Sequence, residues 1–403
     1  MHRLRLVATV TLLACLTGAA SASEPRSPAR SIAADLRAAL AQPGGDRSRT
    51  AALAVDLRSG ETVLAWNARM PLRPASTEKL AVAFAALEEL GPRYRFRTTV
   101  EGDGSRHGHV WHGNLYLVGG GDPTLSIRDL ERLAARIAAL GIRRIDGRVL
   151  GDESLFDTQR AAPGWKPSFL GDESPPVSAL SAAGRRGPSA NGSAAAAAHA
   201  FAEALRRRGI LVSGSPGTGV APLAAVPLAE DASPPLRLVV RLLNRDSDNF
   251  AAEVLLKSLG ATRGSRGSFA GGAAVVRRTL VEAGVPMSGV RIVDGSGLSA
   301  HDRTTARTLV AILRAALADS ELREPFVSSL AVAGVSGTLE HRLERPPVRG
   351  RVRAKTGTTS RASALAGLVG TRYAFAVVQN GSPVDAWSAR AAQDRFVTLL
   401  AGS

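Results

Sequence analysis

Three short motifs stand in order along this chain, Ser76-Thr77-Glu78-Lys79, Ser247-Asp248-Asn249 and Lys355-Thr356-Gly357, and to act as one site they must meet in the fold. Singly they are weak. About 0.3 Ser-x-x-Lys and about 0.5 Ser-x-Asn are expected by chance, and Ser189-Ala190-Asn191, in a Gly/Ser/Arg-rich stretch, is read as one such accident. Lys-Thr-Gly is expected only about 0.02 times, so the ordered set is informative.

The residue types carry the chemistry. Of 51 basic residues only four are lysine (Lys79, Lys166, Lys257, Lys355), and two of them fall inside the motifs. An arginine cannot give up its proton near neutral pH, whereas a buried lysine can serve as a general base. Ser76 is the candidate nucleophile. Pro74-Ala75-Ser76 opens a nearly all-apolar helix expected from about Thr77 to Leu90, stopped by Gly91-Pro92. Residues three apart share a helix face, so Lys79 lies beside Ser76 in the interior, where burial disfavours its ammonium. Neutral Lys79 then takes the seryl proton. Ser247 and Lys355 extend a proton path to a leaving amine, and Asn249 holds Lys79 and a substrate amide together. The strand bearing Lys355-Thr356-Gly357-Thr358 offers backbone pairing to an extended peptide. Its lysine and threonine hydroxyls suit a carboxylate, and Gly357 permits close approach. Asp248, Thr356, Gly357 and Thr358 are the substrate-binding or oxyanion candidates.

The N-terminus carries Arg3 and Arg5, an apolar stretch from Leu6 to about Leu16 and small residues ending Ala20-Ser21-Ala22, which predicts a secretory signal over 1–22. That stretch is too short to span a bilayer. The one cysteine, Cys15, lies within it, so disulfide and thiol chemistry are not expected of the mature chain. Lipid attachment at Cys15 is the alternative, disfavoured by the bulk of Leu13. The expected address is periplasmic or extracellular, associated with the cell wall. A formal charge of +16 favours an anionic wall or membrane surface. Aromatic residues are 4% of the chain, and basic runs such as Arg206-Arg207-Arg208 have no interleaved aromatics, which argues against nucleic acid.

Along the chain, strands are expected at 51–57 and 62–67, 352–358, 362–369 and 373–379, with apolar helices near 273–283 and 305–318 and a final helix over 383–400. Adjacent strands joined by tight turns imply an antiparallel sheet. From 93 onward the pattern changes to short strands around an amphipathic helix over 126–140, read as an inserted domain. The expected fold class is α/β (α+β), an antiparallel sheet flanked by helices with one inserted α/β domain. The catalytic body is assigned to 23–92 and 194–403, and the insert with its linker to 93–193. A helix over 194–208 is expected to return the chain to the catalytic body. Gly119-Gly120-Gly121-Asp122-Pro123 lacks the spacing and lysine of a phosphate loop and is read as a structural turn.

With these motifs the chain resembles the class C low-molecular-mass penicillin-binding proteins, the family of secreted D-alanyl-D-alanine carboxypeptidases and endopeptidases. Asn114 to Leu125, Asp294-Gly295-Ser296-Gly297-Leu298-Ser299 and Ala333-Gly334-Val335-Ser336-Gly337-Thr338-Leu339 match segments typical of that family. The resemblance implies a penicillin-binding transpeptidase or β-lactamase-like fold and cleavage of peptidoglycan stem peptides through an acyl-enzyme on Ser76. It also implies covalent inhibition by β-lactam antibiotics, an oxyanion hole from the backbone N–H groups of Ser76 and Thr358, and no metal or cofactor. Two departures stand out. The gap from Ser76 to Ser247 has no room for the second nested insert of many members, and the 182–193 linker stands where it would be. Where the family often has an arginine after Asp-Gly-Ser-Gly-Leu-Ser, this chain has Ala300 followed by His301, and Asp172 and Glu173 are the two candidates for the acid that the family carries in its inserted domain.

Two other readings share the motifs. A serine β-lactamase of class A places its second motif about sixty residues after the first and lacks the insert, and an inactive wall-binding scaffold would be expected to show decayed motifs. His107-x-His109-x-x-His112 lacks a carboxylate or cysteine to complete a metal set. Lys166 and Lys257 are expected to be solvated, and Asp294 to brace the glycine-rich turn.

Overall fold

The computed structural model describes residues 32–41, 47–182, 193–262 and 266–403. The expected signal segment 1–22 with Cys15, and most of the linker with Ser189, lie outside the described residues.

A six-stranded sheet runs in the order Ala331–Val332, Val352–Thr359, Ala362–Val369, Tyr373–Asn380, Thr50–Asp56, Thr62–Trp66, with every neighbouring pair antiparallel. Successive side chains of a strand point to opposite faces, and here both faces are covered. Ala51, Leu53, Val55, Ala364, Ala366, Ala374, Ala376 and Val378 join one apolar core, while Ala52, Ala54, Leu365, Tyr373, Phe375 and Val377 join another. This explains why the strands Ala362–Val369 and Tyr373–Asn380 read as near-continuous apolar runs rather than alternating ones. The second face is closed by the helices Ile32–Leu40 and Ala386–Gly402.

The first face carries the larger helical layer, with Lys79–Leu90 at its centre. Every residue of that helix from Lys79 to Leu87 is buried, as expected of a helix that is apolar all round. Around it lie the helices Leu236–Asn244, Asn249–Ala261, Phe269–Glu282 and Ala306–Ala318. Lys257, expected in solvent, belongs to this core. Its ammonium is fully buried, 2.6 Å from an Asp157 carboxylate oxygen and stacked over the rings of Phe156 and Phe269.

A separate apolar core forms between Val100 and Val212. It contains a five-stranded mixed sheet in the order Gly217–Thr218, Val149–Asp152, Leu115–Val118, Arg97–Gly102, Val226–Ala232, and the helix Ile127–Ala139 packs on it. The helix Ser193–Arg207, assigned from sequence to the catalytic body, packs here instead, burying Ala194, Ala198, Phe201 and Leu205. Its apolar stripe is mostly alanine and meets Leu130, Leu133 and Ile137 of Ile127–Ala139, a pairing that a single-chain reading of periodicity cannot choose. The strand Val226–Ala232 then returns alongside Arg97–Gly102. Between these elements, Phe156, Ala162, Val177 and Ala179 cross back to the first core, which brings the segment around Glu173 to the motif residues. The turn at Gly119-Gly120-Gly121 bonds only backbone in its surroundings, Gly119 N–H to Asp152 and Gly121 N–H to Ala179.

Candidate active site

Ser76 lies in a turn of 3-10 helix, Ala75–Glu78, that runs directly into the helix Lys79–Leu90. The turn is tightened at Ala75, a non-glycine residue at φ 47°, a conformation that costs on the order of 1 kcal/mol or more and recurs at functional sites. Lys79 Nζ donates to Ser76 Oγ at 3.1 Å, to Asn249 Oδ1 at 2.7 Å and to the Ser296 carbonyl at 2.9 Å. All three ammonium positions are therefore used, and the lysine is held against the seryl oxygen.

The second motif forms the corner between two helices. Ser247 adopts φ 61°, which turns the chain sharply and aims its hydroxyl at Lys355, whose Nζ donates to Ser247 Oγ at 2.9 Å and to the Thr356 carbonyl at 2.7 Å. Asn249 begins the next helix, and its amide nitrogen donates to the Glu173 carbonyl at 2.9 Å. Asp248 is a different case. Its carboxylate accepts from the Ala251 N–H at 2.9 Å and caps that helix, so its role here is that of an N-cap. It is nearly buried and is not among the residues lining the cleft.

The third motif lies on Val352–Thr359. Its neighbour Ala331–Val332 pairs only with Arg353 and Ala354, so from Lys355 onward the outer edge has no strand partner among the described residues. Gly357 approaches the turn bearing Ser76 so closely that a Cβ there would stand 2.9 Å from the Ser76 backbone nitrogen and 3.0 Å from the Pro74 carbonyl. The same approach sets the Thr358 segment beside Ser76. Thr356 Oγ1 donates to Thr338 Oγ1 at 2.8 Å, and Arg390 donates to Thr358 Oγ1 at 3.1 Å.

These elements enclose an open cleft of about 940 Å³ whose walls include Ser76, Ser247, Asn249, Thr338, Thr356 and Thr358. Lys79 and Lys355 lie fully buried beneath it. Burial pushes the Lys79 ammonium down to about 8, opposed by the charges of Glu253, Asp294, Asp248 and Glu173. Lys355 is pushed well below the usual lysine range, by burial first and by the charge of Lys79 second. Two ammonium groups in one dry pocket repel each other, so the pair gives up a proton readily.

Sequence reasoning overlooked the support beneath Lys79. Glu253, fully buried, accepts from the Gly295 and Ser296 N–H groups at 2.8 Å each. Asp294 accepts from Gly297 N–H, Ser299 N–H and Trp165 Nε1 at 2.7 Å each, bracing the turn. Together they fix the Ser296 carbonyl that faces Lys79. A glutamate four residues past Asn249 in a largely apolar helix was the available signal, but its four-residue spacing to Lys257 equally fits a solvent-exposed ion pair. Lys166 is exposed and lines the cleft beside Phe169. His301 is exposed, and the histidines at 107, 109 and 112 lie on a distant hairpin, where His112 faces Asp146 at 3.5 Å.

Comparison with known proteins agrees with this architecture. The D-alanyl-D-alanine carboxypeptidase of Actinomadura sp. (strain R39) is 32% identical over 94% of this chain and 87% of its own length. Carboxypeptidase DacB of Mycolicibacterium smegmatis is 33% identical over 89% of this chain and 82% of its own. The crystal structure of penicillin binding protein 4 from Haemophilus influenzae superposes with a TM-score of 0.79 at 22% identity, covering 90% of this chain and 98% of that one, and so shares the fold. Residues 32–191 and 187–402 match the D-Ala-D-Ala carboxypeptidase 3 (S13) family, and the chain belongs to that family.

Proposed function

We propose that this serine-type D-Ala-D-Ala carboxypeptidase and endopeptidase works on peptidoglycan stem peptides through an ester on Ser76, formed with Lys79 as base. The observation that carries the reading is the 3.1 Å contact between Lys79 Nζ and Ser76 Oγ in a site where burial favours the neutral amine. The unprotonated Lys79 takes the hydroxyl proton as Ser76 Oγ attacks the carbonyl carbon of the penultimate D-alanine. The backbone N–H groups of Ser76 and Thr358 receive the oxyanion. The proton passes by way of Ser247 and Lys355 to the leaving amine, and water then cleaves the ester with the same groups acting in reverse. The free edge beyond Ala354 supports binding of the donor peptide as an added strand. Asn249, tied to Lys79 on one side, has its amide facing the cleft wall at Glu173 and orients the substrate amide.

The same ester chemistry makes β-lactams covalent inhibitors. Two further parts of the reading rest on the sequence: export to the periplasm or cell exterior, and attraction of the basic protein to anionic wall or membrane surfaces. The described elements also support an insert drawn more widely than 93–193, taking in 97–152 and 180–232. Trimming a terminal D-Ala and cutting a cross-link share one acyl-enzyme, and the open cleft favours access by both. The test is intact mass after incubation with benzylpenicillin. Wild type should gain one penicilloyl group and Ser76→Ala none; an adduct on the variant rejects Ser76 as the nucleophile. Digestion of purified muropeptides then reads which bonds are cut.

A further inference from the structure

Beyond the cleft, a hollow of about 230 Å³ is lined by Arg49, Leu72, Arg73, Arg303, Arg361, Asn380 and Gly381. Among the described residues four arginines and no carboxylate line it, and three of them, Arg73, Arg303 and Arg361, form no ion pair there. We propose that this hollow is an anion-binding site for a phosphate group.

The arginines are held in place rather than scattered. Arg73 N–H donates to Asn380 Oδ1 at 2.8 Å and Asn380 Nδ2 returns a bond to the Arg73 carbonyl at 3.1 Å. Leu72 exchanges backbone bonds with Thr304, and Arg303 with Arg291. The Arg303 guanidinium is steered by the Ala300 and Asp302 carbonyls. Arg361 occupies the turn between Val352–Thr359 and Ala362–Val369. Three separate parts of the fold thus direct like charges at one volume. That gathering is unfavourable without a counter-charge: Arg73 is pushed below its usual value by burial and then by the charges of Arg303 and Arg361.

The ligand chemistry follows from number and shape. A carboxylate has two oxygens and one charge, which satisfies one guanidinium fork or at most two. A tetrahedral phosphate offers more acceptor oxygens and up to two charges, and paired arginine forks suit it. A water molecule occupies about 30 Å³ in the liquid, so the hollow has room for a phosphate with part of its hydration. Its surroundings suggest a use. Arg73 and Arg361 also line a second hollow with Lys166, Phe169, Leu298, Thr359 and Ser360, and these five residues are themselves walls of the cleft holding Ser76. A phosphate bound here lies on a continuous path to the nucleophile. It could come from the phosphodiester of an anionic wall polymer, anchored so that neighbouring stem peptides reach the cleft, or from free inorganic phosphate.

The site is independent of the acyl-enzyme reading, because anion binding is measured without turnover. Calorimetric titration of the purified protein with inorganic phosphate, at ionic strength fixed with chloride, should give saturable one-to-one binding. Arg361→Gln and Arg303→Gln should each weaken it by roughly tenfold or more, the loss of a charge-assisted contact. Circular dichroism of each variant checks its fold, and Arg361, on an exposed turn, is the variant that tests the site with least structural consequence. Absence of saturation by phosphate, equal affinity in the folded Arg361→Gln variant, or acetate binding as tightly as phosphate would overturn the proposal. A glycerol-phosphate oligomer titrated in parallel separates the sources: tighter binding than phosphate marks the polymer, and equal or weaker binding marks the free anion.

Discussion

Lys79 is the proposed base, and its environment makes a pH prediction with a definite sign. A general base must be unprotonated, and burial lowers Lys79 to about 8. Below that value the neutral fraction falls about tenfold per pH unit. The second-order rate of acylation by benzylpenicillin should therefore climb from pH 6 to about 8 and level off above. Stopped-flow or mass-based acylation rates across the range check this, and a flat profile contradicts Lys79 as the base. Lys257 shows what the same residue type does where it pairs with an acid. Its ammonium is fully buried against Asp157, so Lys257→Ala removes the partner of that carboxylate and opens a cavity in the first core. A loss of about 3 kcal/mol or more in denaturant unfolding is expected. The sequence displayed Lys79 and Lys257 alike, as lysines in apolar helices. Only the motif around the first distinguished them, and the partner of the second lies a hundred residues away.

At the level of elements, the site depends on how closely one strand and one helix turn approach. Gly357 is the point of contact, and a methyl group there would meet the backbone of Pro74 and Ser76. Backbone on that side cannot yield as a flexible side chain could. Gly357→Ala should therefore shift the strand away from Ser76 and lower the acylation rate by about a hundredfold. The melting temperature should change little by comparison, since the strand keeps its pairing with Ala362–Val369. Both quantities are measurable on one sample, and an unchanged rate would remove the close approach from the mechanism. The need for glycine was legible in the sequence as part of Lys-Thr-Gly. The assignment of Asp248 was not, because its neighbours in the motif both carry chemistry. Its place immediately before an apolar helix, where aspartate is a favoured cap, was the signal for the capping bond that the structure shows.

Over the whole molecule, the second core is built by its own sheet and helices, while the segment between its halves returns to the first core with Glu173 at the cleft. The two can be perturbed separately. Phe201 is fully buried in the second core and far in sequence from all three motifs. Phe201→Ala should cost about 3–5 kcal/mol in the unfolding of that core, seen as an earlier transition by circular dichroism. Below that transition the penicillin acylation rate should stay within a factor of about two of wild type. Loss of acylation in the folded variant would tie the insert to catalysis more tightly than its separate core implies.

Read without its fold, the chain determined the antiparallel sheet, the buried helix behind Ser76 and the residue types of the site. Those properties are written in short-range periodicity, in turn residues and in motifs a few positions long. Only the tertiary structure decided which core the helix Ser193–Arg207 joins, that Glu253 holds the loop facing Lys79, and that arginines at 73, 303 and 361 share one hollow. Such pairings link residues tens to hundreds of positions apart. Burial and charge there depend on which surfaces meet, and local sequence preference carries no record of that choice.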